Sequence, residues 1–173
     1  GLILNNIIHG NTSQGEGHDW YKWEPVALLY CCTSPDPGDA GSFEADPLFA
    51  DTPGRDFHLQ SEVGRFTESG WTNDAASSPC IDRGAPGVDW IAEPEPNGGR
   101  VNVGAFGGTE EASMSPELAI DPALTNLPAG AATGRQMDVQ ANVAWTAASS
   151  AAWIQVTGGS GSGAGTVVFD AAE

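Results

Sequence analysis

The sequence predicts an all-β protein with almost no helix, and three features support this fold class. Glycine occurs 23 times and proline 12 times in 173 residues, which is a turn-rich composition. The apolar runs are short and are bounded by Gly, Pro, Asn, Asp or Ser, as expected of short strands joined by turns. Lysine, which favours helices, occurs only once in the sequence.

Composition also limits the partners of the protein. The formal net charge is -17 at pH 7, from 23 acidic and 6 basic side chains. Such a chain repels phosphate backbones and anionic lipid surfaces, so nucleic acid and membrane surfaces are excluded as partners. A hydrophobic content of 40% with six tryptophans indicates a chain that folds. No apolar run approaches the roughly 18 residues of a membrane-spanning helix.

Short strands that stack into a coil are predicted for the first part of the chain. Over residues 1–11, Leu2, Leu4 and Ile7 mix with asparagines that suit the corners, because Asn tolerates left-handed backbone and bonds neighbouring backbone groups. A second strand is predicted over 26–32. A third, over 56–60, places Phe57 and Leu59 on one face and His58 on the other.

Four segments of residues 1–113 resemble the C-terminal end of secreted right-handed parallel β-helix proteins of the pectate-lyase-like superfamily. In order they are GSFEADPLFAD, DFHLQ, SSPCIDRGAP and PNGGRVNVGAFGGTEEAS. The resemblance implies that residues 1–113 form terminal coils of such a helix. It also implies that the glycine-rich segment caps the stack, whose open end otherwise exposes unpaired backbone groups.

The composition changes near Met114, and we place a domain boundary between Ser113 and Pro116. Residues 114–173 resemble the BACON domain, an immunoglobulin-like β-sandwich, through Asn142, the turn over 158–165, the strand over 166–169, and two tryptophans. This resemblance implies a sandwich with Trp145 and Trp153 in its core, lacking the last strand. The implied architecture is therefore a right-handed parallel β-helix terminus plus an immunoglobulin-like β-sandwich.

Two clusters of side chains are candidate binding sites. Trp20, Tyr21 and Trp23 are a candidate glycan platform, since aromatic faces pack against pyranose rings; the alternative is that they cover the core at a coil end. The acidic loop from Asp36 to Asp56 is a candidate calcium site, because hard cations prefer oxygen ligands. Its candidate ligands are Asp36, Asp39, Glu44 and Asp46. The alternative is solvated surface charge.

The three cysteines lack zinc-site spacing, so one disulfide and one spare thiol are expected in an exported protein. Cys32 and Cys80 are the preferred pair. The histidines, His9, His18 and His58, fit no metal motif and are expected on the polar surface. No convergent catalytic group is evident.

These observations favour a non-catalytic extracellular or cell-surface module that gives rigidity, adhesion or glycan contact. The chain opens directly into a strand pattern without a leader, so we expect a fragment or processed form. Open β edges also allow self-association with a neighbouring subunit. The alternative is the C-terminal part of a polysaccharide lyase or glycoside hydrolase whose active site lies upstream of residue 1.

Overall fold

The computed structural model describes residues 1–12, 19–21, 25–120 and 130–172. These residues form fourteen strands and no helix, which confirms the predicted all-β class. None of them therefore belongs to a helix long and apolar enough to cross a bilayer. The chain divides into an N-terminal unit, Gly1–Ser115, and a C-terminal unit, Pro116–Glu173.

The described part of the N-terminal unit contains eight strands of two to four residues. They are β1 (Leu2–Leu4), β2 (Ile7–Ile8), β3 (Ala27–Leu29), β4 (Cys32–Thr33), β5 (Phe49–Asp51), β6 (Asp56–Leu59), β7 (Arg65–Thr67) and β8 (Gly70–Thr72). β1 pairs in parallel with β3, and β2 pairs in parallel with β4. The registers Leu2↔Ala27 and Ile7↔Cys32 have the same offset, so two passes of the chain lie side by side.

The corner of each pass has left-handed backbone. Asn5 has a φ of 56° between β1 and β2, and Tyr30 has a φ of 52° at the matching place between β3 and β4. Asn5 Oδ1 accepts a hydrogen bond of 2.7 Å from the Ala85 N–H, which ties this corner to a distant segment. The single strand predicted over 26–32 is therefore two strands, interrupted at Tyr30.

The remaining strands of this unit form two antiparallel hairpins, β5 with β6 and β7 with β8. The buried core cluster consists of Cys32, Leu59, Cys80, Ile81 and Val103. All described sheets of the unit are two-stranded and unclosed. They establish the all-β class but not the coils of a β-helix.

A buried carboxylate organises the glycine-rich segment after β8. Glu93 is 5% exposed, and its Oε1 accepts hydrogen bonds from the Asn102 N–H at 2.8 Å and the Gly108 N–H at 2.7 Å. Its Oε2 accepts a third from Asn97 Nδ2 at 2.8 Å. Burial raises the pKa of Glu93 more than these bonds lower it. Gly107 is required here, because a Cβ would overlap the Asn102 carbonyl oxygen.

The C-terminal unit has longer strands. They are β9 (Leu118–Ile120), β10 (Ala132–Ala141), β11 (Ala144–Thr146), β12 (Ile154–Gly158), β13 (Ser160–Ser162) and β14 (Gly165–Ala171). Four of them form an antiparallel sheet in the order β12-β14-β10-β9, and β11 pairs with β13.

The two tryptophans predicted in the core of this unit differ in burial. Trp145 is 7% exposed and packs with Val139 and Val167, as predicted. Its indole fits because Gly161 has no side chain; a Cβ there would lie 2.6 Å from Trp145 Cζ2. Trp153 is 51% exposed, so its predicted core position is wrong. It lies just before β12, which is at the edge of the sheet formed by the described strands and pairs there with β14.

Candidate functional site

Two of the three aromatics of the predicted glycan platform lie in the described part of the chain. Trp20 Nε1 donates a hydrogen bond of 2.9 Å to the Pro35 carbonyl oxygen, while Tyr21 is 65% exposed. Trp23 lies outside the described residues. The platform therefore stays a prediction.

The structure does not bring the four predicted calcium ligands together. Each carboxylate accepts a hydrogen bond from a different partner: Asp36 from Gly38, Asp39 from Leu28, Glu44 from Ser34 and Asp46 from Leu48. Within the described ranges, no three His, Cys, Asp or Glu side chains are grouped so that they could hold a metal ion. The four carboxylates thus make four separate contacts, two within local turns and two with residues ten or eleven positions away, and calcium binding stays a prediction without an assembled ligand set.

The cysteines of the predicted disulfide are neighbours. Cys31, Cys32 and Cys80 are all buried free thiols, and Cys32 and Cys80 belong to the same core cluster. A hydrogen bond between the Cys32 and Cys80 thiols lowers the pKa of Cys32. The same bond, with burial, raises the pKa of Cys80. The predicted pair is therefore adjacent but not bonded.

His58 is not on the polar surface where the sequence places it. Its side chain is 14% exposed, and its ring stacks on Phe106 with centroids 3.6 Å apart. Nδ1 lies 2.6 Å from Asp56 Oδ1, whereas Nε2 lies 3.6 Å from Glu111 Oε2. Nε2 is buried without a hydrogen-bond partner. A strand lies where the sequence predicts one, but Phe57 is 41% exposed while Leu59 is 6% exposed. The ring that covers His58 comes from a distant loop.

An arginine extends this network between the two hairpins. Arg65 binds Asp74 through two hydrogen bonds, from Nε at 2.9 Å and from Nη2 at 3.1 Å, and its Nη1 reaches Asp56 Oδ2 at 3.4 Å. Burial raises the pKa of Asp56, but hydrogen bonds from His58 and the charges of His58 and Arg65 lower it further, so the net shift is downward. The network ties the two hairpins together.

An open groove of about 460 Å³ lies in the glycine-rich part of the N-terminal unit. We call it the Trp90 groove; it is lined by residues 85–91, Gly99 and Arg100. The indole of Trp90 is half-buried, and Gly99 lies beside it, since a Cβ at Gly99 would lie 3.9 Å from Trp90 Cζ2. Ile91 on its rim is 80% exposed. The groove thus combines an aromatic ring with an accessible aliphatic side chain.

Two charged side chains of the Trp90 groove are held in place. Asp89 Oδ1 accepts a hydrogen bond of 3.0 Å from the Ile91 N–H. Arg100 donates from Nε to the Gly84 carbonyl oxygen, and its guanidinium lies 5.4 Å from the centre of the Tyr30 ring. An acceptor and a multiple donor are therefore positioned beside the apolar surface.

Local turns position this groove. The Val88 N–H donates to the Ala85 carbonyl oxygen, and the Glu93 N–H donates to the Trp90 carbonyl oxygen at 2.8 Å, so the loop turns twice within nine residues.

The Trp90 groove was not predicted from the sequence. The available signal was a tryptophan inside the turn-rich run GAPGVDWIAEPEP, where a buried strand position is not expected.

A second open groove, of about 500 Å³, lies beside β1 and β2. Its lining includes Asn5, Asn6 and Phe57, but also Ile7 and Phe49, which pack on the buried cluster. Phe49 and Phe57 meet edge to face with centroids 5.3 Å apart. This groove opens onto core side chains, which makes the Trp90 groove the better candidate binding site.

The comparisons with known proteins give one partial match. A family model described as disaggregatase related matches residues 33–84, less than a third of the chain. The matched segment contains the two hairpins, with Asp56, His58, Arg65 and Asp74, and ends before the Trp90 groove. No curated protein and no solved structure matches the chain. The chain is therefore similar to that family over this segment only.

Proposed function

We propose that the N-terminal unit is a non-catalytic glycan-contact module of an extracellular or cell-surface protein, with the Trp90 groove as its binding surface. The observation that carries the proposal is the grouping of Trp90, Ile91, Asp89 and Arg100 around one open groove. Small-molecule sites combine apolar walls with a few fixed polar groups, and their volumes span roughly 300–1,000 Å³. A short oligosaccharide fits this chemistry and size.

Each wall of the Trp90 groove has a role in the proposed complex. The indole of Trp90 packs against the C–H face of a pyranose ring, as aromatic side chains do with flat apolar surfaces. The Asp89 carboxylate accepts hydrogen bonds from sugar hydroxyls, and the Arg100 guanidinium donates to ring or hydroxyl oxygens. Because both are anchored, little side-chain entropy is lost on binding.

The charge of the chain selects the class of glycan. A net charge of -17 repels polyanions over the whole molecule, and a single arginine in the groove does not reverse that field. We therefore propose a neutral glycan.

The His58 network supports a binding rather than a catalytic role. A general acid or base must come within hydrogen-bond reach of its substrate. His58 Nε2 is buried, and His58 Nδ1 contacts the Asp56 carboxylate. The proposed role of this network is to hold the hairpins together.

We also propose the finer architecture implied by the sequence, with residues 1–113 as terminal coils of a right-handed parallel β-helix and residues 114–173 as a BACON-like sandwich. The constant offset of the two parallel pairs and the left-handed corners at Asn5 and Tyr30 support the first assignment. The antiparallel pairing around Trp145 supports the second. Stacked coils would give a rigid platform for the groove.

Affinity electrophoresis in gels containing neutral polysaccharides, such as glucan, xylan or mannan, tests the proposal. We expect at least one of them to retard the protein, and Trp90→Ala to weaken binding by about tenfold or more, as the loss of an aromatic anchor does. Asp89→Asn should weaken binding by a smaller factor. Trp153→Ala is the matched control, because it also truncates a tryptophan but lies in the C-terminal unit, where the side chain is exposed.

Three outcomes would contradict the proposal. Retardation only by acidic polysaccharides would remove the neutral class. Loss of binding in Trp153→Ala with binding kept in Trp90→Ala would move the site to the C-terminal unit. Migration unaffected by any polysaccharide would remove glycan contact altogether.

A further inference from the structure

The side chains of Cys32 and Cys80 meet in the core of the N-terminal unit. Both residues are 0% exposed and share one buried cluster with Leu59, Ile81 and Val103. Cys32 Sγ donates to the Ala45 carbonyl oxygen at 3.3 Å, and Ala45 packs on the same cluster. Two thiols that are 48 positions apart in the chain thus belong to one buried cluster.

Backbone hydrogen bonds fix both cysteines. The Cys32 N–H donates to the Asn6 carbonyl oxygen at 2.9 Å within the parallel pairing of β2 and β4. The Cys80 N–H donates to Ser78 Oγ at 3.1 Å, and its carbonyl oxygen accepts from the Val103 N–H at 2.9 Å. Their contact is therefore a consequence of the fold and not of two mobile side chains.

The third cysteine faces elsewhere. Cys31 Sγ donates to the Leu29 carbonyl oxygen at 3.3 Å and lies 3.7 Å from the Ile3 carbonyl oxygen. Successive side chains of an extended segment point to opposite sides, so Cys31 and Cys32 cannot both face Cys80. Cys31 is the spare thiol.

We propose that Cys32 and Cys80 form a disulfide that staples β4 to the closing segments of the N-terminal unit, and that Cys31 remains a thiol. A small-molecule disulfide such as oxidised glutathione is the oxidant. One cysteine thiolate displaces a glutathione thiolate to give a mixed disulfide, and the second cysteine thiolate displaces the other. The two cysteine protons and two electrons leave with two molecules of reduced glutathione. Because both thiols are fully buried in the folded unit, the exchange occurs during folding.

Peptide mapping after oxidative refolding tests this disulfide. The reduced, unfolded chain is refolded in a mixture of reduced and oxidised glutathione, alkylated, digested with trypsin and analysed by mass spectrometry. Trypsin cleaves after Lys22, Arg55, Arg65 and Arg83, so the disulfide should join peptides 23–55 and 66–83. One alkylated cysteine should remain in the linked species.

The variant Cys31→Ala identifies the partner within the first peptide. We expect it to refold and to keep the link between peptides 23–55 and 66–83, which then contains only Cys32 and Cys80. The oxidised wild type should melt about 10 °C or more above the same protein in reductant, because the disulfide closes a loop of roughly 48 residues. Far-ultraviolet circular dichroism checks that each sample is folded.

The proposed disulfide does not depend on glycan binding, so the results that would disprove it differ from those that would disprove the proposed function. Alkylation of all three cysteines after oxidative refolding of a folded sample would overturn it. Loss of the link in Cys31→Ala would show that Cys31 was the partner. A melting temperature unchanged by reductant would show that the bond does not constrain the unit.

Discussion

The two units provide hydrogen bonds to their buried backbone groups in different ways. In the N-terminal unit no described strand exceeds four residues, whereas β10 of the C-terminal unit has ten residues and β14 has seven. The buried polar residues of the described chain all belong to the N-terminal unit: Thr33, Ser61, Ser78, Glu93, Asn102, Ser113 and Ser115. Short strands leave many backbone groups outside the ladders, and buried side chains bond them.

The contacts of these polar residues span long stretches of sequence. Ser61 Oγ donates to the Met114 carbonyl oxygen at 2.7 Å, and Ser113 Oγ donates to the Leu59 carbonyl oxygen. In the C-terminal unit, the antiparallel ladders of β10, β12 and β14 pair the backbone directly, and the core is apolar. We therefore expect single polar substitutions to destabilise the first unit and apolar truncations to destabilise the second.

The largest expected effect is Trp145→Ala in the C-terminal unit. Truncating a buried tryptophan costs about 4 kcal/mol in the free energy of unfolding, because the cavity is only partly refilled. Urea denaturation followed by tryptophan fluorescence measures the loss. The control is Trp153→Ala, which should cost less than about 1 kcal/mol because this side chain is exposed. Equal losses for the two variants would contradict the assignment of the core.

The next effect is Glu93→Ala in the N-terminal unit. Removal of this carboxylate leaves three hydrogen-bond donors unpaired in a buried place, but it also removes the cost of burying a charge. The net loss in the free energy of unfolding should be about 3 kcal/mol. Because burial raises the pKa of Glu93 in the folded protein, protonation of this carboxyl group stabilises the fold. This contribution to stability is complete below the ordinary pKa of 4.5 and is lost as pH rises through the pKa of the folded state. Glu110→Ala, at an exposed position of the same segment, is the control for urea denaturation. A loss no greater than in this control would show that the segment does not depend on Glu93.

A smaller effect is expected from Ser61→Ala. Ser61 is 0% exposed, and its Oγ accepts hydrogen bonds from the Val63 and Gly64 N–H groups as well as donating to Met114. The loss should be about 2 kcal/mol, measured as a lower urea midpoint of the N-terminal unit. Ser69→Ala, at an exposed position, should leave the midpoint unchanged. A neutral Ser61→Ala would mean that solvent can replace these bonds.

The smallest effect is a pH dependence at Asp56. Because its folded pKa is lower than the ordinary 3.8, the ionised carboxylate stabilises the fold above about pH 4, and this stability is lost as pH falls through the folded value. The difference in urea midpoint between wild type and Asp56→Asn should therefore shrink with acidification below pH 4. A difference that stays constant down to pH 2 would show that Asp56 is not held by His58 and Arg65.

Local pattern predicted the features that depend on neighbouring residues. The all-β class follows from turn composition, and the left-handed corner at Asn5 follows from the tolerance of asparagine for that backbone. The burial of Trp145 was implied by the resemblance to a sandwich. Each of these depends on residues within a few positions or on a known strand order.

Features set by distant segments were not predicted. His58 is covered by Phe106, and the Trp90 groove takes its second wall from Gly99 and Arg100. Trp153 is exposed because of its place before an edge strand. Period-two alternation gives the side of a strand on which a residue lies, but it does not state which segment covers that side.

Nuclear magnetic resonance of the six tryptophan indole N–H groups is the most direct test of glycan contact at the Trp90 groove. The protein is titrated with the neutral oligosaccharide that binds best, and Trp90→Ala and Trp153→Ala assign two of the resonances. We predict a progressive shift of the Trp90 indole resonance while the Trp153 resonance stays in place. A saturating shift at Trp153 or Trp20 with the Trp90 resonance unmoved would contradict the proposed site.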